Sequence, residues 1–132
     1  MNHKDPRKKF FLCYFESTRR CNLKCRYCMT KEPRHAPMVH TTELSTDEIK
    51  RLVIDEVKKY CDNGAVAYSG GEHLLRKDAL EILKYTGDAG LWSFINTNGS
   101  MLTTRLLKEI KKATGGKVIC VFSLNSILPN IQ

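Results

Sequence analysis

The feature that most constrains this chain is a regular alternation of short apolar runs with amphipathic stretches. Four apolar runs predict β-strands, at Phe10–Phe15, Ala65–Ser69, Leu91–Ile95 and Val118–Phe122. The last three recur at equal intervals, and strand–helix repeats of this kind typically form right-handed parallel units. We therefore predict an α/β fold, a partial (β/α) barrel with about four parallel strands and three helices.

The three predicted helices have recognisable starts. Ser45 and Glu48 have the spacing of a capping box. The residues that recur at helical intervals behind this box are Ile49, Leu52, Val53, Val57 and Tyr60. The second helix is predicted over about 77–89, and the third begins at Thr103 or Thr104.

Some residues carry a structural expectation only. Trp92 and Phe94 alternate along the third strand, so we expect them in the core. Cys13, Cys61 and Cys120 fall in or beside predicted core elements, where free cysteine behaves as a small buried hydrophobe.

Composition excludes several classes of protein. The 132 residues carry a net charge of +8, with 42% hydrophobic and 27% charged residues, which is typical of one folded domain. No stretch approaches the roughly 20 apolar residues needed to cross a bilayer. The basic N-terminus, residues 1–9, is predicted to be a flexible tail, and the apolar run behind it is too short for a signal peptide. We expect a cytoplasmic protein without a membrane partner.

Three of the six cysteines, Cys21, Cys25 and Cys28, form a Cys-x3-Cys-x2-Cys run after the first strand. Thiols remain reduced in the cytosol, so such a cluster favours a metal site over disulfides. A four-iron cube with one open iron and a zinc ion with a fourth ligand from His35 or His40 both fit the spacing. A third interpretation, in which the three thiols bind no metal, is disfavoured by their spacing.

A second motif, Ser69-Gly70-Gly71-Glu72, ends the second strand. The carboxyl ends of parallel strands share one rim, so this motif is expected beside the cysteine loop. Two glycines let a ligand approach the backbone closely, and Glu72 could accept hydrogen bonds from an ammonium group.

Together these motifs resemble those of the radical S-adenosylmethionine (SAM) superfamily, in the style of its cofactor-building and peptide-modifying branch. The resemblance implies that Cys21, Cys25 and Cys28 ligate a [4Fe–4S] cluster. It implies cofactor contacts for a further set of residues, namely Tyr27 at the adenine, Gly70, Gly71 and Glu72 at the methionine amino group, and Ser123 and Asn125 at the end of the fourth strand. Asn96-Thr97-Asn98-Gly99 resembles the Thr-Asn-Gly of that branch.

The activity implied is reductive cleavage of SAM to a 5′-deoxyadenosyl radical, which abstracts hydrogen from a small-molecule or peptide substrate. A reduced flavodoxin or ferredoxin is the expected electron donor, and Arg19, Arg20, Lys24 and Arg26 would steer such an acidic partner to the cysteine loop. The same basic surface could instead bind RNA, which is not favoured, or could simply be a solvated surface without a partner.

The chain departs from the family pattern at several points. His73 stands where many members have proline, and Asn125 where aspartate is usual. An eight-unit barrel needs about 250 residues, so we expect residues 10–132 to be a radical SAM core domain truncated after the fourth strand. A partner chain or self-association would then complete the barrel. The alternatives are a zinc-binding, RNA-binding module without enzymatic activity and an inactive remnant.

Overall fold

A computed structural model of the chain describes residues 10–28 and 43–124. Its four strands are β1 (Leu12–Thr18), β2 (Ala65–Gly70), β3 (Trp92–Thr97) and β4 (Val118–Phe122). They form one sheet in the order β1-β2-β3-β4, with all three pairings parallel. The predicted α/β fold with four parallel strands is confirmed. The predicted tail, residues 1–9, lies outside the described residues.

Three helical stretches accompany the strands, as predicted. The helical elements are α1 (Thr46–Ile49), a π-helical segment (Lys50–Ile54), α2 (Asp55–Tyr60), a 3-10 turn (His73–Leu75), α3 (Ala79–Asp88) and α4 (Thr104–Ala113). The first three are continuous along the chain. Ser45 and Glu48 form the predicted capping box at the start of α1, and Thr103 caps α4 through the backbone N–H of Leu106.

The π-helical segment changes which residues of the first helical stretch are buried. Ile49, Ile54 and Val57 are buried, whereas Leu52 and Tyr60 are 47% and 64% exposed. Val53 is buried as predicted, and Ile54, which the predicted face did not include, is buried beside it because a π turn is wider than an α turn. The predicted apolar face was therefore wrong at Leu52 and Tyr60.

The core lies between the helices and one face of the sheet. Val66 and Tyr68 of β2 and Ile95 of β3 pack in this core with buried side chains of the helices, such as Ile82 and Leu83. Because side chains alternate along a strand, the other residues of each strand belong to the opposite face.

That opposite face, which we call the open face, carries one row of side chains in register, formed by Tyr14, Ala67, Phe94 and Ile119. Tyr14 is 72% exposed and Phe94 is half-buried. Trp92 and Phe94 were expected in the core and are instead half-buried on the open face, because Ser93 and Ile95 take the helix-facing positions. Cys61 is buried as expected, and Cys13 and Cys120 are half-buried against the core.

No helix in residues 10–28 and 43–124 is long and apolar enough to span a bilayer.

Candidate functional site

The carboxyl ends of the four strands surround a cavity of about 380 Å³. Cys21, Cys25 and Cys28 line it together with Tyr27, and Ser123 lines it after the end of β4. Four of these residues share the loop that follows β1, whereas Ser123 comes from the far side of the sheet. The fold thus gathers residues that are widely separated in sequence. Asn125 lies outside the described residues, as do His35 and His40.

The three thiols line one cavity without forming a cage for a single ion. Among the described residues, no group of three His, Cys, Asp or Glu side chains is placed to hold one metal ion. Cysteine thiols are the ligand type that a [4Fe–4S] cluster takes, each on a different iron, so the donor set of Cys21, Cys25 and Cys28 fits such a cluster.

The loop that carries these cysteines is fixed to the sheet at its stem by the backbone that follows β2, at Gly71 and Glu72. The backbone N–H of Gly71 donates to Thr18 O at 2.6 Å, and that of Glu72 donates to Arg20 O at 2.7 Å. A Cβ added at Gly71 would lie 1.9 Å from Arg20 O, and one at Gly70 would lie 2.3 Å from Thr18 O. Both glycines line the cavity. Because they lack a Cβ, the backbone of the cysteine loop can pack directly against them.

Glu72 is buried behind the cavity wall. Its carboxylate accepts hydrogen bonds from the hydroxyl of Thr97 at 2.9 Å and from the backbone N–H of Asn98 at 2.9 Å. The backbone N–H of Leu74 is a further donor, at 3.4 Å. The carboxylate is thus occupied by donors of the chain itself and connects the end of β2 to the end of β3.

A charged network centred on Arg76 supports the end of β1. The buried guanidinium of Arg76 donates to the carbonyl oxygens of Ser17 at 2.8 Å and Leu44 at 3.1 Å. It pairs with Asp78 at 2.7 Å and with Glu43 at 3.4 Å. Burial would raise the pKa of Asp78, but the hydrogen bonds it accepts, chiefly from Arg76, bring that pKa to about 2. This network joins β1 to the start of α1.

His73 lies in the core rather than in the cavity wall. Its ring stacks on Tyr68 with the centroids 4.6 Å apart, and its Nδ1 lies 2.8 Å from the hydroxyl of Ser17. Burial, with a further contribution from Arg76, lowers the pKa of His73 to about 3, so the imidazole is neutral at neutral pH. In the structure, His73 contributes packing and a hydrogen bond.

The basic residues of the cysteine loop are exposed. Arg19 lies 4.0 Å from Glu16 and Arg20 lies 3.4 Å from Glu43, while Lys24 and Arg26, on either side of Cys25 in the sequence, are exposed. Exposed ion pairs such as these are weak, so the loop retains positive potential.

Residues 15–131 match the family model of the Radical SAM superfamily. The chain belongs to this superfamily. Membership of the radical SAM superfamily implies a [4Fe–4S] cluster and SAM as cofactors, and the predicted family is confirmed.

Two curated relatives are examples of the proteins that the chain resembles in sequence. The chain is 36% identical over 95 residues to the Fe-coproporphyrin III synthase of Methanosarcina barkeri, covering 72% of this chain and 23% of that protein. It is 35% identical over 97 residues to the GTP 3′,8-cyclase of Marinobacter nauticus, covering 73% of this chain and 28% of the relative. The chain thus spans about a quarter of the length of the curated relatives that it matches.

Solved structures share the fold at low sequence identity. SuiB of Streptococcus suis bound to SAM superposes with a TM-score of 0.70 at 16% identity, covering 92% of this chain and 26% of SuiB. SuiB bound to its precursor peptide SuiA gives a TM-score of 0.68 at the same identity and coverage. This chain therefore shares the fold of the part of SuiB that it covers.

Proposed function

We propose that this chain binds a [4Fe–4S] cluster through Cys21, Cys25 and Cys28 and binds SAM beside it. The observation that carries the proposal is that all three thiols line the same cavity as Gly70 and Gly71. When bound and reduced by one electron, this cofactor pair supplies a 5′-deoxyadenosyl radical, which abstracts hydrogen from the substrate.

The chain's own residues hold and orient these groups. Tyr27 lines the cavity, and its backbone is proposed to contact the adenine. Gly70 and Gly71 bring backbone to the cavity at the position proposed for the methionine amino group, and Ser123 provides a hydroxyl. Glu72 acts indirectly in this proposal, since its buried carboxylate fixes the strand ends around the cofactor. Asn125 is proposed as a further contact from the resemblance alone.

The substrate is proposed to be a small molecule or a peptide. Relatives named for a synthase of Fe-coproporphyrin III and a cyclase of GTP, and a structural neighbour bound to a precursor peptide, support that range. The exposed Lys24 and Arg26 beside the cluster ligands support docking of an acidic reduced flavodoxin or ferredoxin.

The open face supports a further proposal about assembly. Its side chains Tyr14 and Ile119 are 72% and 42% exposed, although both faces of a parallel sheet are normally covered. We propose that residues 10–132 are part of a core domain whose open face is covered by more protein, in a partner chain or a second copy.

The cofactor proposal is tested by anaerobic reconstitution with iron and sulfide, followed by electron paramagnetic resonance (EPR) of the dithionite-reduced protein. We expect a [4Fe–4S]⁺ signal whose shape changes when SAM is added. Cys25→Ala should lose the signal and the bound iron. Cys120→Ala is the matched control, because Cys120 is half-buried in β4 away from the cavity. Its signal should be retained.

Three outcomes would contradict the proposal in different ways. Stoichiometric zinc without iron would favour the zinc-binding module. A cluster signal that SAM leaves unchanged would remove SAM binding from the proposal. Full iron content in Cys25→Ala would show that the ligands are assigned wrongly.

A further inference from the structure

Asn98 connects the cysteine loop to the end of β3. Its side-chain Nδ2 lies 3.8 Å from the sulfur of Cys21 and 3.0 Å from Oδ1 of Asn22. Its Oδ1 accepts a hydrogen bond from the backbone N–H of Ser100 at 2.9 Å. The side chain of Asn22 donates in turn to the hydroxyl of Ser100 at 2.7 Å.

These partners determine which way the amide of Asn98 points. The backbone N–H of Ser100 can only donate, so the oxygen of the amide has to face it. The NH₂ group must then face the cysteine loop, where Asn22 Oδ1 can only accept. A donor is therefore directed at Cys21 by the hydrogen-bond pattern on both sides of the amide.

The backbone of Asn98 is also fixed by hydrogen bonds. Its N–H donates to the buried carboxylate of Glu72 at 2.9 Å, and the next N–H, of Gly99, donates to Thr97 Oγ1 at 3.0 Å. Gly99 has a φ of +80°, a conformation that turns the chain away after Asn98 and suits glycine. The donor is thus placed before any ligand arrives, and little conformational entropy is lost when it bonds.

We propose that Asn98 is a positioning residue that donates an N–H···S hydrogen bond to the Cys21 thiolate of the cluster and raises the cluster's reduction potential. A hydrogen bond to a cluster sulfur stabilises the reduced form, which carries one more negative charge. The backbone N–H of Leu23, 3.4 Å from the same sulfur, is a second donor that side-chain substitution leaves in place. This inference rests on the proposed cluster at Cys21, Cys25 and Cys28.

The test is a redox titration of the reconstituted full chain, followed by EPR, for the wild type and Asn98→Ala. We expect the midpoint potential of Asn98→Ala to be more negative. At a fixed potential the ratio of reduced to oxidised cluster should fall by about threefold to tenfold, the range that one hydrogen bond spans, and tenfold corresponds to about 59 mV for one electron. Iron content should stay at the wild-type level.

Asn22→Ala is the matched control, because it removes the other acceptor of the same amide and keeps the donor to Cys21. Its potential should equal that of the wild type. If Asn98→Ala does not take up iron, Asn98→Asp replaces it, since aspartate keeps the contact to Ser100 and lacks the NH₂ donor.

The outcomes separate the two proposals. A wild-type chain without a cluster would overturn the proposed function and this inference with it. Two results would overturn the role of Asn98 alone, provided that the wild type holds a cluster. The first is an Asn98→Ala potential equal to that of the wild type, and the second is an equal shift of the potential in Asn22→Ala.

Discussion

The hydroxyl of Thr97 lies between both carboxylate oxygens of Glu72, 2.9 Å from Oε1 and 3.0 Å from Oε2, and both residues are buried. A buried carboxylate is tolerated only when its oxygens accept enough hydrogen bonds. Thr97 therefore joins β3 to the segment after β2. Because both residues are buried, water cannot replace this hydrogen bond if it is lost.

Thr97→Val should lower the free energy of unfolding by about 1.5–3 kcal/mol, the range for a hydrogen bond to a charged group. Valine keeps the shape of threonine and removes the donor to Glu72 and the acceptor for Gly99. Urea denaturation measures the change. Thr104→Val is the control, because Thr104 is exposed at the start of α4, and it should stay within about 0.5 kcal/mol of the wild type. Equal effects in the two variants would show that Thr97 Oγ1 contributes nothing specific.

Gly71→Ala should disturb the cysteine loop as well as stability. Its Cβ would lie 1.9 Å from Arg20 O, so the loop stem has to move and the hydrogen bond from Gly71 N to Thr18 O is lost. We expect a loss of stability at or beyond the upper end of the about 1–3 kcal/mol that overpacking costs. The iron bound after reconstitution should fall in parallel.

Gly116→Ala provides the comparison for that variant. Gly116 also requires glycine by its φ of +84°, but no atom of the described residues lies within 4 Å of an added Cβ. It should lose only the about 1–2 kcal/mol of a left-handed residue and retain its iron. Normal iron content in Gly71→Ala would contradict the proposed coupling of this glycine to the cysteine loop.

Much of the fold was predictable because its signals are local. The bounds of β4 agree with the apolar run at Val118–Phe122, and the capping box at Ser45 is as the spacing indicated. Hydrophobic runs and helix caps depend only on residues that are close in the sequence, so they can be recognised from one sequence alone. The equal strand spacing then sufficed to predict a parallel sheet.

The assignment of faces and of the supporting residues was less predictable. The alternation of Trp92 and Phe94 predicts one apolar face of β3, but strands of a parallel sheet are apolar on both sides, and only the packed helices decide which side is the core. The π-helical turn that exposes Leu52 has no reliable local signal. The partners of Arg76 and Glu72 come from other elements, so no sequence spacing reveals them.

Arg76→Met should destabilise the fold by about 3–5 kcal/mol, because it leaves Asp78 and Glu43 without their buried cation. Methionine keeps much of the side-chain volume, so the lost charge and donors dominate the effect. Thermal unfolding measures it. Arg105→Met is the matched control, since the side chain of Arg105 is 90% exposed and pairs with Glu109 four residues on. It should cost no more than about 1 kcal/mol. Similar losses in the two variants would contradict a structural role for the Arg76 network.

His73 should make stability depend on pH below neutrality. Its pKa is about 3 in the folded chain against an ordinary value of 6.5, so between these values the unfolded chain binds the proton and the folded chain does not. The stabilisation is therefore complete above pH 6.5 and is lost progressively as the pH falls towards 3, by about 1.4 kcal/mol per pH unit.

His73→Phe isolates this effect, because phenylalanine retains an aromatic ring against Tyr68 and cannot titrate. We compare the free energies of unfolding of wild type and variant by urea denaturation between pH 7.5 and 5. The other histidines are common to both proteins and cancel in the difference. From pH 7.5 to 5 the wild type should lose about 2 kcal/mol relative to the variant. Parallel pH profiles would mean that His73 is as readily protonated in the folded chain as in the unfolded one, and hence that it is not buried as a neutral ring beside Ser17.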